Sequence, residues 1–307
     1  MIDDIIPLFT KLTGISRGVP VEKLYSKYKT KQSAILELEA MPLHYRVTGN
    51  GPNLLLVHGV TSSLHTWSGW HKYLSNHFRV ISFDVPSFGL TGPNPKKDYS
   101  LEMYMRIIDK LLDHLNVTKA YMAGNSFGGL LTWNYAIHNP DRIIKIALLN
   151  PAGINSKREN IKGLGFKVFL NPITKFFAHR FTPKLLLSFF LRKVYGDSSK
   201  VTAELVTTYH HMLLRKGNRE AFSHVLAKTL LHGRDNCIRI KEVKLPTFII
   251  WGNKDRIIPI THGALFEKLI IGSTLKVYNG VGHVPMEEIP KTSSEDVKNF
   301  FIGKQGN

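Results

Sequence analysis

One short run of the sequence carries the residue pattern that activates a serine hydroxyl. The run Gly124–Gly129 reads Gly-Asn-Ser-Phe-Gly-Gly, and it follows a β-rich run directly and precedes a helical pattern directly. A turn this tight forces the serine into a strained backbone conformation, and side chains at the flanking glycines would collide with their neighbours. The pattern therefore predicts that Ser126 is an exposed nucleophile.

The same turn supplies hydrogen-bond donors for a negatively charged oxygen. The backbone N–H of Phe127 and the positive end of the following helix point toward an oxyanion that forms beside Ser126. A second donor is expected from a loop after an earlier strand, and the tripeptide His58–Val60 follows the apolar run 54–57. We expect the backbone N–H of Val60 to be that donor.

A serine hydroxyl also needs a base to remove its proton and a carboxylate to hold that base in the right tautomer. In the chain order typical of this motif, the acid follows a later strand and the histidine follows the last strand. Asp255 lies just beyond the β-rich run Phe248–Trp251, and His283 lies just beyond the run that ends at Tyr278. We therefore predict that Ser126, Asp255 and His283 are the catalytic residues.

Two other residues compete for the acid and base roles. Asp84 also ends a predicted strand, but its place in the run Phe83–Gly89 favours hydrogen bonds to the neighbouring loop. His58 lies in the loop expected to bind the oxyanion, where bracing the loop is favoured over proton transfer. Of the 14 histidines, only His283 has the Gly-His setting after a final strand, so Asp255 and His283 are preferred.

These side chains need a sheet that brings its strand ends together. From about residue 34 the chain alternates short β-rich runs with longer helical patterns, which predicts an α/β fold with a mostly parallel eight-stranded sheet flanked by helices. Helices are expected at Leu101–Leu115 and Phe127–His138. The expected strands are Ala34–Glu39, Leu43–Thr48, Asn53–His58, Arg79–Asp84, Ala120–Gly124, Ile143–Asn150, Thr247–Trp251 and Thr274–Tyr278. The first two are expected to form an antiparallel pair separated by Met41 and Pro42.

The alternation of strands and helices breaks after Pro151, where about ninety residues of helical pattern precede the next strand. We interpret residues 152–244 as a helical, basic cap inserted into an α/β core. That core consists of residues 34–151 and 245–307, and residues 1–33 form an N-terminal helical extension.

Net charge is the outlier of the composition. The 307 residues carry a formal net charge of +18, and residues 155–244 hold 18 of the 41 Lys and Arg against six Asp and Glu. Because apolar residues such as Phe166 are interleaved with these cations, we interpret the segment first as an amphipathic cap with a solvated basic face. The second interpretation is contact with an anionic membrane surface, to which Ile2–Leu12 adds an apolar contact. Nucleic acid is not an expected partner, because no recognition motif accompanies the charge.

Other features limit the classes of protein that fit. The single Cys237 excludes an internal disulfide framework. The start Met-Ile-Asp-Asp lacks the positive charge of a signal peptide, and no apolar run reaches the roughly 18 residues of a membrane span. The histidines lack the paired spacing of a metal site. We expect a cytoplasmic protein, with peripheral membrane association as the alternative, and neither a cofactor nor a metal.

Taken together, these motifs resemble the α/β-hydrolase superfamily, and especially its capped esterase, lipase and C–C hydrolase branch. The resemblance departs at Ser87, where relatives usually have Gly in an Asp-x-Pro-Gly-Phe-Gly turn, and this departure touches none of the predicted catalytic residues. The resemblance covers about residues 34–300 and rests on His58-Gly59, Phe83–Gly89, Gly124–Gly129, Trp251–Pro259 and Gly282-His283.

The resemblance implies a serine hydrolase that cleaves carboxylic esters, with short- to medium-chain or lipid-like acyl groups, through an acyl-enzyme. Ser126 argues against dehalogenases and epoxide hydrolases of this fold, which use Asp at that place. The runner-up is a meta-cleavage-type C–C hydrolase, whose elbow the Gly-Asn-Ser-Phe-Gly-Gly run resembles. That family usually has a glycine-rich loop after His-Gly and a Trp just beyond the catalytic His, where this chain has Val60–Leu64 and Val284–Met286. An alternative of another class is a catalytically silent binding protein on the same scaffold.

Overall fold

A single eight-stranded sheet organises the computed structural model, which describes residues 18–154, 179–227 and 236–303. The strands are β1 (Ser33–Leu38), β2 (Met41–Thr48), β3 (Asn53–Val57), β4 (Arg79–Phe83), β5 (Ala120–Asn125), β6 (Ile143–Leu149), β7 (Thr247–Gly252) and β8 (Thr274–Tyr278). Their spatial order is β1-β2-β4-β3-β5-β6-β7-β8. Strand β2 runs antiparallel to β1 and β4, and all other neighbours are parallel. The predicted mostly parallel sheet is confirmed.

The turn of the opening hairpin differs from the prediction. Strand β2 already begins at Met41, so Met41 and Pro42 lie in the strand, and Glu39 and Ala40 make the turn. Both turn residues have positive φ, 52° and 61°, as in the two-residue loops whose twist matches that of the flanking strands. Pro42 fits because the pairing of β2 with β4 begins only at Tyr45, which leaves Pro42 with a strand on one side.

Helices cover both faces of the sheet. Side chains alternate along β3, so that Leu54 and Leu56 pack in one buried cluster, whereas Leu55 and Val57 pack in the other. All four are fully buried. Among the described residues outside 152–244, the α-helices are α1 (Val21–Tyr28), α2 (Ser68–Leu74), α3 (Leu101–His114), α4 (Phe127–His138), α9 (Ile260–Leu269), α10 (Pro285–Glu288) and α11 (Pro290–Ile302).

Helices α3 and α4 confirm the two helices predicted from the sequence, to within one residue at each end. They pack on the face of the sheet that carries Leu55, whereas α2 and α11 pack on the face that carries Leu54. Helix α3 begins where Ser100 accepts a hydrogen bond from the backbone N–H of Met103, an N-cap that satisfies one free donor of the first turn.

The described residues between β6 and β7 are mainly helical. Their α-helices are α5 (Lys184–Val194), α6 (Ala203–Leu214), α7 (Asn218–Val225) and α8 (Asn236–Ile240). Residues 155–178 and 228–235, and with them Phe166, lie outside the described residues. The boundaries proposed for the cap therefore stay a prediction.

Helix α1 lies in the segment assigned to the N-terminal extension. Its buried Leu24 packs with Leu90 and Met212, and the backbone of Val19 pairs with the chain just after α6. Residues 1–17, which include Ile2–Leu12, lie outside the described residues. Among the helices that the structure describes, none is long and apolar enough to cross a membrane.

Candidate active site

Ser126 occupies a strained turn between β5 and α4. Its φ is 55° and its ψ is −116°, a conformation that costs free energy in a non-glycine residue. The neighbouring glycines are required by close packing: a Cβ on Gly124 would lie 2.2 Å from the carbonyl oxygen of Gly128, and one on Gly128 would lie 2.0 Å from that of Val57. The turn thus holds the hydroxyl at the carboxyl edge of the sheet. The residue is buried, with 8% exposed, rather than open as the sequence predicted, because the loop of Gly59 packs against it.

Asp255 and His283 meet beyond the ends of β7 and β8. His283 Nδ1 lies 2.7 Å from Asp255 Oδ2, and the same oxygen accepts a hydrogen bond from the side-chain amide of Asn150 at 2.7 Å. Oδ1 accepts the backbone N–H groups of Ile257 and Ile258 at 2.7 and 3.0 Å. Because an ionised carboxylate only accepts, Nδ1 carries the proton, which leaves Nε2 free to act as a base.

Asn125 joins the turn of Ser126, the serine turn, to the loop between β8 and α10 that carries His283, which we call the histidine loop. The side-chain amide of Asn125 donates to the carbonyl oxygen of His283 at 2.9 Å and to that of Leu149 at 3.1 Å. The described contacts of Ser126 and His283 do not include a hydrogen bond between Oγ and Nε2. Such bonds are often long in unliganded enzymes and shorten when substrate binds. The structure thus brings the three predicted residues to one edge of the sheet, while their catalytic roles stay predictions.

The loop predicted to supply an oxyanion donor lies against the nucleophile. A Cβ on Gly59 would lie 3.2 Å from the Cβ of Ser126, so only glycine lets this loop approach so closely. No residue in the described part of the chain accepts a hydrogen bond from the backbone N–H of Val60 or Phe127. Among the described residues, both donors are therefore unused and are available for an oxyanion.

His58 braces this loop. Its Nδ1 lies 2.7 Å from the carbonyl oxygen of Gly59, and its Nε2 accepts the backbone N–H of Val85 at 2.9 Å, which fixes the tautomer. Complete burial lowers the pKa of His58 to about 4. The ring is therefore neutral near pH 7, and both of its nitrogens are occupied.

Asp84 makes contacts different from those of Asp255. Its carboxylate is fully buried and accepts the backbone N–H groups of Leu64 and Leu90, each at 2.7 Å, and lies 2.8 Å from His44 Nδ1. The bonds to Leu64 and Leu90 are to neighbouring segments, as its sequence position suggested, while His44 lies in β2. His283 is bonded to Asp255 instead.

Ser87 adopts a backbone conformation that suits glycine. Its φ is 93°, and its backbone N–H donates to the carbonyl oxygen of Gly92 at 2.6 Å. Ser87, where related sequences usually have Gly, is therefore a residue with a Cβ held in the left-handed backbone region, which costs about 1 to 2 kcal/mol of stability.

Two neighbouring carboxylates fasten the corner between α5 and α6 to the histidine loop, and the sequence patterns did not single them out. Glu288 Oε1 accepts the backbone N–H of Gly282 at 2.7 Å, while Oε2 accepts those of Gly196 and Asp197 at 2.9 and 3.2 Å. Burial raises the pKa of Glu288. One carboxylate thus bonds both the segment before His283 and the corner that covers it.

Glu287 forms a second set of hydrogen bonds beside those of Glu288. It accepts hydrogen bonds from the hydroxyls of Thr66, Tyr195 and, at 2.6 Å, Tyr209. Burial, reinforced by the Glu287 charge, raises the pKa of both phenols. In addition, the backbone N–H of His283 donates to the carbonyl oxygen of Val194 at 2.8 Å, so the last turn of α5 contacts the histidine loop directly.

Within the described ranges, no group of three or more His, Cys, Asp or Glu side chains is arranged to hold a metal ion. The residues brought together at the sheet edge are instead those of nucleophilic catalysis, namely a hydroxyl, an imidazole held by a carboxylate, and free N–H donors.

Comparison with known proteins identifies a family and several relatives of this chain. A family model described as the alpha/beta hydrolase fold matches residues 52–290. A 2-hydroxy-6-oxo-6-phenylhexa-2,4-dienoate hydrolase of Comamonas testosteroni is 27% identical over 260 residues, which cover 80% of this chain and 86% of that protein. A 2-hydroxy-6-oxononadienedioate/2-hydroxy-6-oxononatrienedioate hydrolase of Pseudomonas putida is 28% identical over 292 residues, 91% of this chain and 98% of that one.

A solved structure supports the same grouping. The crystal structure of a mutant of CumD, a meta-cleavage product hydrolase, matches this fold with a TM-score of 0.76 and 25% sequence identity, covering 87% of this chain and 97% of that one. The family match spans strands β3 to β8, the serine turn and the loops that carry Asp255 and His283. The chain belongs to the α/β-hydrolase family.

Proposed function

We propose that this chain is a serine hydrolase that cleaves a carbon–carbon bond beside a carbonyl group. The observation that carries the serine chemistry is the 2.7 Å contact between His283 Nδ1 and Asp255 Oδ2 next to the strained turn of Ser126. The choice of bond is supported by relatives that are 27% and 28% identical and named for 2-hydroxy-6-oxo dienoates. They favour C–C cleavage over the ester hydrolysis expected first from the sequence.

The chemistry uses one set of groups twice. His283 Nε2 takes the proton of Ser126 Oγ, which adds to the carbonyl carbon, and the N–H groups of Val60 and Phe127 stabilise the resulting oxyanion. When the C–C bond breaks, its electron pair stays on the departing carbon, and that carbon receives the proton from His283. Water, deprotonated by His283, then releases the acyl group as a carboxylic acid and restores Ser126. Asp255 stabilises the imidazolium throughout.

A second candidate is hydrolysis of carboxylic esters by the same groups. The loop after Gly59 has the side chains Val60–Leu64 rather than a run of glycines, and Val284 rather than Trp follows His283. These are departures from the usual pattern of C–C hydrolases. An ester oxygen is also an easier leaving group than carbon, so the same site can act on esters without further machinery.

A direct substrate comparison tests the two candidates. The purified protein is incubated with 2-hydroxy-6-oxo-6-phenylhexa-2,4-dienoate and, separately, with p-nitrophenyl esters of graded chain length. We expect release of benzoate from the dienoate with a kcat/KM well above that of the best ester. Ester turnover with the dienoate left intact contradicts C–C cleavage and supports the second candidate. Folded protein that turns over neither class contradicts both.

A matched pair of variants tests the nucleophile. A fluorophosphonate probe is expected to label the natural protein and a Ser62→Ala variant, whose lost hydroxyl is also buried but contacts Tyr209, and to leave Ser126→Ala unlabelled. If both variants are labelled equally, the nucleophile is a residue other than Ser126. Absence of labelling in all three proteins favours the silent binding protein.

A further inference from the structure

The outer side of α5 exposes a row of large apolar side chains. Leu185 is 83% exposed, Phe189 54%, Leu186 47% and Phe190 39%. Their spacing places them along one side of the helix, because residues three and four apart are neighbours on a helix surface. Phe181, 45% exposed, lies just before the helix. We call these five residues the apolar face of α5.

The opposite side of the same helix is already packed. Leu191 is 4% exposed, and Leu187 and Val194 pack against the buried cluster on the sheet. Since these contacts hold α5 to the core, the apolar face adds nothing to that packing. A contiguous apolar surface left exposed marks a site of contact with another surface, and the described residues cover α5 on one side only.

Cations surround the apolar face. Helix α5 contains Lys184, Arg192 and Lys193 and no acidic residue, and residues 179–200 hold five Lys and Arg against one acidic residue. None of the three forms a salt bridge within the part of the chain that the structure describes. Lys193 Nζ lies 4.3 Å from the ring centre of Phe189, so charge and apolar surface are adjacent. This is the pattern of side chains that place an apolar stem in lipid and a charge at the headgroups.

We propose that the apolar face of α5 docks on the surface of an anionic membrane. The apolar side chains enter the boundary between headgroups and acyl chains, and Lys184, Arg192 and Lys193 contact lipid phosphates. Eleven residues are too few to span a bilayer, so the helix lies along the surface. A second copy of the chain is a poorer occupant than lipid, because pairing two such faces brings like charges together.

Docking of this face is independent of which bond the enzyme cleaves. It has a structural connection to the site, because the carbonyl oxygen of Val194 at the end of α5 accepts the backbone N–H of His283. The helix that contacts the bilayer is thus joined by one hydrogen bond to the loop of the candidate base.

Vesicle flotation tests the proposal with the whole chain. Vesicles of phosphatidylcholine alone are compared with vesicles that also contain phosphatidylglycerol. We expect the protein to float with the anionic vesicles and to be released by high salt. A Leu185→Ser/Phe189→Ser variant and a Lys193→Glu variant are each expected to lower the partition coefficient about tenfold or more. The matched control is Ile271→Ser, since Ile271 is an apolar residue that is 90% exposed and lies after α9, and its partition is expected to be unchanged.

Several outcomes overturn the proposal. The proposal is wrong if the natural protein stays in the dense fraction or floats equally with neutral vesicles. It is also wrong if the α5 variants float like the natural protein. A dimer in light scattering that the Leu185→Ser/Phe189→Ser variant dissociates shows that a second copy covers the face. A marked fall of the melting temperature in that variant shows that the face is packed against the chain itself. Because flotation does not measure turnover, its failure leaves the catalytic proposal standing.

Discussion

The side-chain amide of Asn125 donates a hydrogen bond to the main-chain carbonyl oxygen of His283 across 2.9 Å. The residue directly before the candidate nucleophile thereby holds the loop of the candidate base. This contact joins two segments separated by 158 positions, and Asn125 itself takes no part in proton transfer. It is a positioning residue, and its effect on turnover can be separated from its effect on stability.

We expect Asn125→Ala to lower kcat about tenfold, or about 1.4 kcal/mol, because of its two lost hydrogen bonds the one to His283 holds the loop of the base. KM should change little, because the amide points at the protein. Steady-state kinetics with the best substrate measures both constants.

Asn134→Ala is the matched control for Asn125→Ala. Asn134 is equally an amide in the core, and within the described part of the chain its side chain bonds to the carbonyl oxygen of Leu130 in its own helix, α4. We expect its kcat to stay near the natural value. Equal kcat in the two variants argues against positioning by Asn125.

A methyl group at Gly196 should disturb the histidine loop from outside. A Cβ there would lie 2.2 Å from the carbonyl oxygen of Gly280 and 2.6 Å from the backbone nitrogen of Gly282. Because both contacts are with backbone, the loop or the corner after α5 must shift. We expect Gly196→Ala to lower kcat/KM more than tenfold, since small displacements of catalytic groups have large effects on rate.

Gly272→Ala is the control for this clash. Gly272 has a φ of 79°, and a Cβ there would meet no atom within 4 Å, so alanine introduces backbone strain of about 1 kcal/mol without a collision. We expect a lower melting temperature with kcat/KM preserved. Full activity of Gly196→Ala contradicts the proposed contact between corner and loop.

Acid should destabilise the protein through His58. Its pKa is lowered by burial to about 4 in the folded chain, against an ordinary value of about 6.5 in the unfolded chain. As the pH falls, the unfolded state takes up the proton first. The stability due to neutral His58 is therefore complete above about pH 6.5 and is lost as the pH falls toward about 4, by about 3 kcal/mol in total.

Urea unfolding at several pH values across that window measures this loss. We expect the stability of His58→Gln to depend less steeply on pH than that of the natural protein, whereas His77→Gln, a change at an exposed histidine, keeps the natural slope. If His58→Gln and the natural protein have the same slope, proton uptake by His58 is not the cause.

Relief of strain at Ser87 should stabilise the fold. Glycine accepts the φ of 93° without cost, and this gain exceeds the extra entropy of glycine in the unfolded chain. We expect Ser87→Gly to raise the free energy of unfolding by about 0.5 kcal/mol. Ser87→Ala loses the same hydroxyl, which lies 3.3 Å from that of Tyr104, but it keeps the strain. A glycine variant that is less stable than the alanine variant contradicts this account.

The sequence by itself determined the sheet and the edge at which the candidate residues lie. Consecutive apolar runs such as 54–57 predict strands covered on both faces, and Gly124 and Gly128 predict a sharp turn, because both signals depend on residues close together in the chain. In a parallel sheet the loops after the strands emerge at one edge, so the positions of Asp255 and His283 follow from the order of the elements. The first hairpin turn was misplaced, because Met41 and Pro42, predicted to separate the first two strands, lie in β2.

The tertiary structure alone decided which side chains hold these residues. Asn125, Asn150 and Glu288 each bond to partners far away in the chain, at His283, Asp255 and Gly196. The direction of a side chain and its hydrogen-bond partner depend on how distant segments pack, and no local pattern encodes that. The same holds for α5, whose apolar residues are visible in the sequence but whose exposed side is defined only once the other side is packed.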